Sequence, residues 1–188
     1  MSHFKARRRG GAYVALPPYA AGLLASLARQ LVELLSDGEV VDTQQQDPLE
    51  AMLDFDAPRE APEDPALLRL LPSAHRDDEE VAAEFRRFTE RGLRESKIRD
   101  SVVVLTKLGD LTVDAVDDVE FELDRDEVRA FLRALTDMRL TLAERLGVTV
   151  DDDQFWESLP DDDERLAGYE IYGWLGYLLE SLLDVVRR

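Results

Sequence analysis

The chain has 188 residues, 45% of them hydrophobic and 34% charged, with a net charge of −18 and no cysteine. That length suits one domain with its own core, and the missing thiols exclude disulfides, thiolate metal sites and cysteine nucleophiles. An acid excess of this size repels nucleic-acid phosphates, so direct DNA binding is not expected; docking to a basic protein surface suits the charge better.

The opening "MSHFKARRRGG" carries Lys5, Arg7, Arg8 and Arg9, but no apolar run follows as a secretory signal requires. A cytoplasmic protein is expected. Residues 1–10 read as a flexible basic tail and 11–188 as a single helical domain. "GAYVALPP" alternates, which predicts a short strand from Tyr13 to Leu16. Pro17 and Pro18 then open a helix, since a first-turn N–H has no partner to lose. Leu23, Leu24, Leu27, Leu31, Leu34 and Leu35 recur on one face of it, and Gly38 is a plausible stop.

Residues 37–63 change character, being rich in Pro, Gln and Asp, and predict a loop or low-order insertion. "DPALLRLLP" follows as a short helix capped by Asp64 and ended by Pro72. A long helix is expected from about Asp77 to Lys107, with Val81, Phe85, Phe88, Leu93, Ile98, Val102, Leu105 and Leu108 as its buried stripe. Val119, Phe121 and Leu123 alternate as a second strand. Asp124 and Glu127 then form the two halves of a capping box, opening a helix that Gly147 closes. The final helix spans about Asp163 to Arg187.

Two segments, "YVALPPYAAGLLASL" and "EFELDRDEVRAFLRAL", share the order strand, cap, apolar helix. Their strands are expected to pair as an antiparallel ribbon, stable only if it lies against the helices. The fold class is therefore mainly α: a bundle of about four main helices with a small two-stranded antiparallel β-ribbon.

The carboxylate runs at Asp77–Glu80, Asp151–Asp153 and Asp161–Glu164 could hold calcium or magnesium, but they lack the mid-loop glycine of a calcium loop and fit helix capping. With two histidines, His3 and His75, no serine elbow and no glycine-rich phosphate loop, no enzyme is indicated. No cofactor is called for. Arg139 borders the apolar face of its helix; it either snorkels to water or forms a buried pair with Glu170 or Glu180 on the last helix.

"YEIYGWLGYLLESLLDVV", Tyr169 to Val186, is the most apolar stretch, but Glu170, Glu180 and Asp184 make it too polar to span a bilayer. It reads either as a central core helix or as one whose surplus apolar edge meets a homodimer mate or a partner. Tyr169, Ile171, Trp174 and Tyr177 are the candidate interaction surface.

"DPALLRLLPSAHRDDEEVAAEFRRFTERGLRESKIRD", "ELDRDEVRAFLRALTDMRLTLAERLGV" and "YEIYGWLGYLLESLL" occur in that order. In this arrangement the chain resembles an actinobacterial family classed as a domain of unknown function, which includes the AosR-type oxidative-stress transcriptional regulators. The resemblance covers most of the chain, and its motifs are structural rather than catalytic. It implies a non-enzymatic regulator acting through protein contacts, for example with a sigma factor or RNA polymerase. It also implies a redox switch built on a cysteine pair, which this cysteine-free chain cannot carry. The alternative is a dimeric structural or ligand-binding protein of unknown role.

Overall fold

Two alternating segments far apart in sequence meet first. In a computed structural model that describes residues 3–7, 11–36, 61–74, 78–109 and 115–187, Ala12–Leu16 pairs antiparallel with Val119–Leu123. The register sets Leu16 opposite Val119, Val14 opposite Phe121 and Ala12 opposite Leu123. Side chains alternate across a strand, so these six apolar residues share one buried face while Glu120 and Glu122 face out. The expected ribbon is present.

It has a third strand. Lys5–Ala6 (β1) pairs antiparallel with Ala12–Leu16 (β2), which separates it from Val119–Leu123 (β3) in the order β1-β2-β3. The sequence places this segment in a flexible tail; the structure holds it at Phe4, only 3% exposed. Its ring packs edge-on against Phe121 and Phe131, with centroids 6.5 and 6.3 Å away. Its N–H donates to Ser181 Oγ at 3.1 Å. One buried aromatic outweighs the charges around it, and those charges lie on the outer face, where Arg7 pairs with Glu122. Gly11 allows the return of the chain: a Cβ there would stand 2.6 Å from the Leu123 carbonyl oxygen.

Six helices lie among the described residues: α1 Pro18–Leu35, α2 Pro65–Leu70, α3 Glu79–Leu108, α4 Arg125–Leu146, α5 Asp153–Glu157 and α6 Glu164–Val186. The capping signals act as read. Ala66 N–H donates to Asp64 Oδ1 at 2.7 Å, and Val81 N–H to Asp78 Oδ1 at 3.1 Å. Asp126 and Glu127 N–H both donate to Asp124 Oδ1 at 2.9 Å, while Asp124 N–H donates to Glu127 Oε2. Gly147 closes α4 in the left-handed region with φ 71°. The insertion expected at 37–63 lies, for residues 37–60, outside the described residues, as do the Gly38 stop and His75.

Helix α1 packs along α3, α3 along α4 and α4 along α6, with α2 against α4 and β1 against α6. Leu24, Phe131, Leu135, Leu175, Leu178 and Leu182 are fully buried between them. One expectation is overturned here. On α3, Val81, Phe85, Phe88, Leu93 and Val102 are 40–58% exposed instead of buried. The inward face carries Ala82, Arg86, Glu90, Arg94, Asp100, Ser101, Val104 and Leu108. Its charges are paired, which is what allows them inside. Arg94 donates to Glu90 Oε1 and, across to α1, to the Leu35 carbonyl, both at 2.8 Å. Arg133 of α4 grips Asp100 with two bonds of 2.6 and 2.7 Å, and Lys97 reaches Asp137 at 2.7 Å.

Phe131 joins the sheet, Phe4 and the helices at one point and is 0% exposed. Phe131→Ala should cost about 3–5 kcal/mol of stability, read as a shifted urea midpoint at unchanged slope.

Candidate interaction site on the last helix

Helix α6 starts at Asp163, whose carboxylate accepts the Arg165 N–H at 2.9 Å and the Arg165 guanidinium at 2.9 and 2.7 Å. That guanidinium, then the backbone donor, pulls the Asp163 pKa from 3.8 down to about 2. Asp152, ahead of α5, is also lowered, chiefly because its Oδ2 accepts the Thr149 N–H at 2.6 Å. Asp64, ahead of α2, is lowered by Arg145, bonded at 2.5 Å. The carboxylates at these three helix starts thus serve backbone and arginine donors. Among the described residues, no group of three or more His, Asp or Glu is arranged to hold a metal ion.

Beyond its start, α6 has two faces. Leu175, Leu178 and Leu182 are fully buried, and Ile171 and Trp174 are half-buried against the same core. The other face carries Tyr169, Tyr172, Gly173 and Gly176, one helical turn apart in pairs. Here the rings form a ladder. Trp156 of α5 lies parallel to Tyr169 at 4.4 Å and 5°. Tyr169 continues to Tyr172 at 6.0 Å and 23°. Phe155, 46% exposed, meets Trp156 edge-on at 5.2 Å. Arginines close both ends: Arg165 lies 5.3 Å from the Phe155 ring centre, and Arg139 of α4 lies 4.2 Å over Tyr172.

Arg139 corrects the buried pair considered from sequence. Glu170 and Glu180 are both exposed, and among the described residues neither forms an ion pair with it. Its Nε is shielded from solvent without a hydrogen-bond partner, and the π-face of Tyr172 supplies the electrostatic attraction instead. Gly176 makes the room. A Cβ at that position would stand 3.2 Å from Arg139 Nε, so the bare backbone gives the guanidinium room that an alanine methyl would crowd.

The four residues proposed as one interaction surface therefore divide. Tyr169 belongs to the ladder and Tyr177 is half-buried, while Ile171 and Trp174 lean on the core. Sequence reasoning missed Phe155, Trp156 and Tyr172 as members. The available signal was the adjacent Phe-Trp pair inside the acidic connection "DDDQFWESL".

The chain matches, over residues 1–186, the family described as Domain of unknown function (DUF2017). It belongs to that family. Among curated proteins it is similar to the oxidative stress regulator AosR of Mycobacterium bovis and of Mycobacterium tuberculosis. Each is 30% identical over 182 residues, covering 91% of this chain and 80% of the relative. No solved structure matches. Among the described residues, no helix is long and apolar enough to cross a membrane.

Two measurements check this geometry. Gly173 has open space where a Cβ would stand, so Gly173→Ala should gain about 0.5–1 kcal/mol of stability. Gly176→Ala should gain distinctly less or lose, because its methyl presses on Arg139; parallel denaturant melts compare them. The Asp163 charge stabilises the folded chain above 3.8, and that contribution is lost as pH falls through about 2. A carbon-detected NMR titration should place the Asp163 midpoint near 2, and Arg165→Ala should move it up toward 3.8.

Proposed function

We propose that this protein is a non-enzymatic, cytoplasmic regulator of the AosR type that acts by contact with other proteins and works without a thiol switch. Similarity to an oxidative stress regulator across 91% of the chain carries this reading. The net charge of −18 supports a basic protein surface as the target and disfavours direct contact with DNA. The transcription machinery, a sigma factor or RNA polymerase, is the partner class proposed. The contact surface proposed is the outer edge of the ladder, Phe155 and Tyr169, extended by Tyr177. Rigid aromatic side chains of this kind lose little entropy on binding and dominate protein interfaces.

With no cysteine, partner binding cannot respond to disulfide formation within this chain. The signal it conveys must enter through its abundance, its partner or a ligand.

The test is direct binding of the purified protein to RNA polymerase and to the sigma factors of its own organism. A specific complex is expected, weakened at least tenfold by Phe155→Ala combined with Tyr177→Ala, a change of roughly 1.4 kcal/mol. Affinity should stay the same in diamide and in dithiothreitol. Failure to bind any of these partners would refute the transcription reading. An affinity that the double variant leaves unchanged would refute this choice of surface.

A further inference from the structure

Residues 151–170 hold nine acids and a single base, Arg165. Its guanidinium bonds Asp163 through Nε at 2.9 Å and Nη2 at 2.7 Å, one nitrogen to each carboxylate oxygen. The same group lies 5.3 Å from the centre of the Phe155 ring. The chain itself thus shows which group this edge accepts. A ring face beside a two-oxygen acceptor fits a planar guanidinium, which can stack and make two parallel bonds at once, as an ammonium cannot.

Arg165 holds that seat weakly. Its side chain is 49% exposed, and an exposed ion pair adds little to stability. The helix start does not depend on it. The Arg165 backbone N–H donates to Asp163 Oδ1 at 2.9 Å, so α6 keeps its cap when the side chain leaves.

Charge identifies what displaces it. The carboxylates of Asp151, Glu157, Asp161, Asp162 and Glu164 are exposed, and among the described residues none of the five has an ion-pair or hydrogen-bond partner. Each stands within four residues of Phe155 or Asp163 along the chain. Phe155 is 46% exposed, and Val150 just ahead of α5 is 95% exposed. Apolar residues rimmed by free carboxylates match a basic protein segment; they repel nucleic acid and a second copy of this acidic chain.

We infer that Arg165 fills, within the chain, the seat of a partner's arginine: an arginine-bearing protein segment docks by displacing Arg165 from Phe155 and Asp163 and is steadied by the five free carboxylates. This rests on the outer ladder edge being the contact surface, and it makes Arg165 a built-in competitor that sets how readily the edge is bound.

Calorimetry with the purified chain and a capped peptide of alternating arginine and alanine tests it. The peptide should bind, and Phe155→Ala or Asp163→Asn should weaken binding by roughly tenfold. Asparagine caps a helix as aspartate does, so the second variant keeps its α6 start. Arg165→Ala should instead tighten binding by roughly threefold, since the competitor is gone. Arg129→Ala removes the same charge from another exposed arginine, paired with Asp126, and should change affinity less. Arg129 lies about 25 Å along α4 from Leu146, which packs against Gly168 near the α6 start. The lysine counterpart of the peptide should bind more weakly than the arginine form. Arginine peptide that binds neither the parent nor Arg165→Ala overturns the inference. So does equal tightening by Arg165→Ala and Arg129→Ala, an affinity that Arg165→Ala leaves unchanged or lowers, or a lysine peptide that binds as tightly. The same Arg165→Ala chain, titrated with RNA polymerase and the sigma factors, separates this inference from the transcription proposal. A complex that forms there and is indifferent to the variant overturns the seat and leaves the transcription proposal standing. Peptide binding as expected, with no transcription partner bound, upholds the seat and overturns the transcription proposal.

Discussion

The register that sets Leu16 against Val119 and Ala12 against Leu123 is the constraint on which the rest of this fold depends. Each of the two strands runs within two residues into a core helix, β2 into α1 at Pro18 and β3 into α4 at Arg125. Pairing the strands therefore fixes where both helices begin. A slip of one residue would turn Val14 and Phe121 to solvent and bring Tyr13, Glu120 and Glu122 inside. Phe4 then seals the sheet against Phe131, and its N–H ties the same edge to Ser181 on α6. A sheet this small has little stability alone, and here both its sequence ends and its buried face are held by helices.

Helix α3 is organised on a different basis. An amphipathic helix ordinarily turns its apolar stripe inward, but α3 turns in Arg94, Asp100 and their partners and leaves Val81, Phe85 and Phe88 half out. The inner charges find geometry that water cannot offer with the same direction: a two-pronged Arg133–Asp100 pair, and an arginine on the last carbonyl of α1. Such pairs add little net stability compared with a packed apolar seam, but they tie α3 to α1 and α4 in one arrangement. Burial raises the Asp137 carboxyl from its ordinary value, and its bond to Lys97 acts against that rise.

The capping box, the first-turn proline and the alternation of the two strands were all legible, because each depends on residues within four or five positions of one another. Both strands and their pairing follow from the echo between "YVALPPYAAGLLASL" and "EFELDRDEVRAFLRAL". The β1 strand was hidden because its signal is one phenylalanine among basic residues, and burial of Phe4 depends on Phe121 and Phe131 over a hundred residues away. The ladder was half legible. Tyr169 stood out on an apolar helix, whereas Trp156 and Phe155 sat in an acidic connection whose path places them against α6.

By itself the sequence determined the helical class, the ends of most elements, the absence of thiol chemistry and the family, because these rest on local pattern, composition or similarity in order. Tertiary structure alone decided which face of α3 turns inward and what Arg139 meets. Periodicity tells which residues share a face but not which face is covered. On α3 the paired charges claimed the interior, and at Arg139 a glycine one helix away opened the slot that set an arginine on a tyrosine ring instead of a carboxylate.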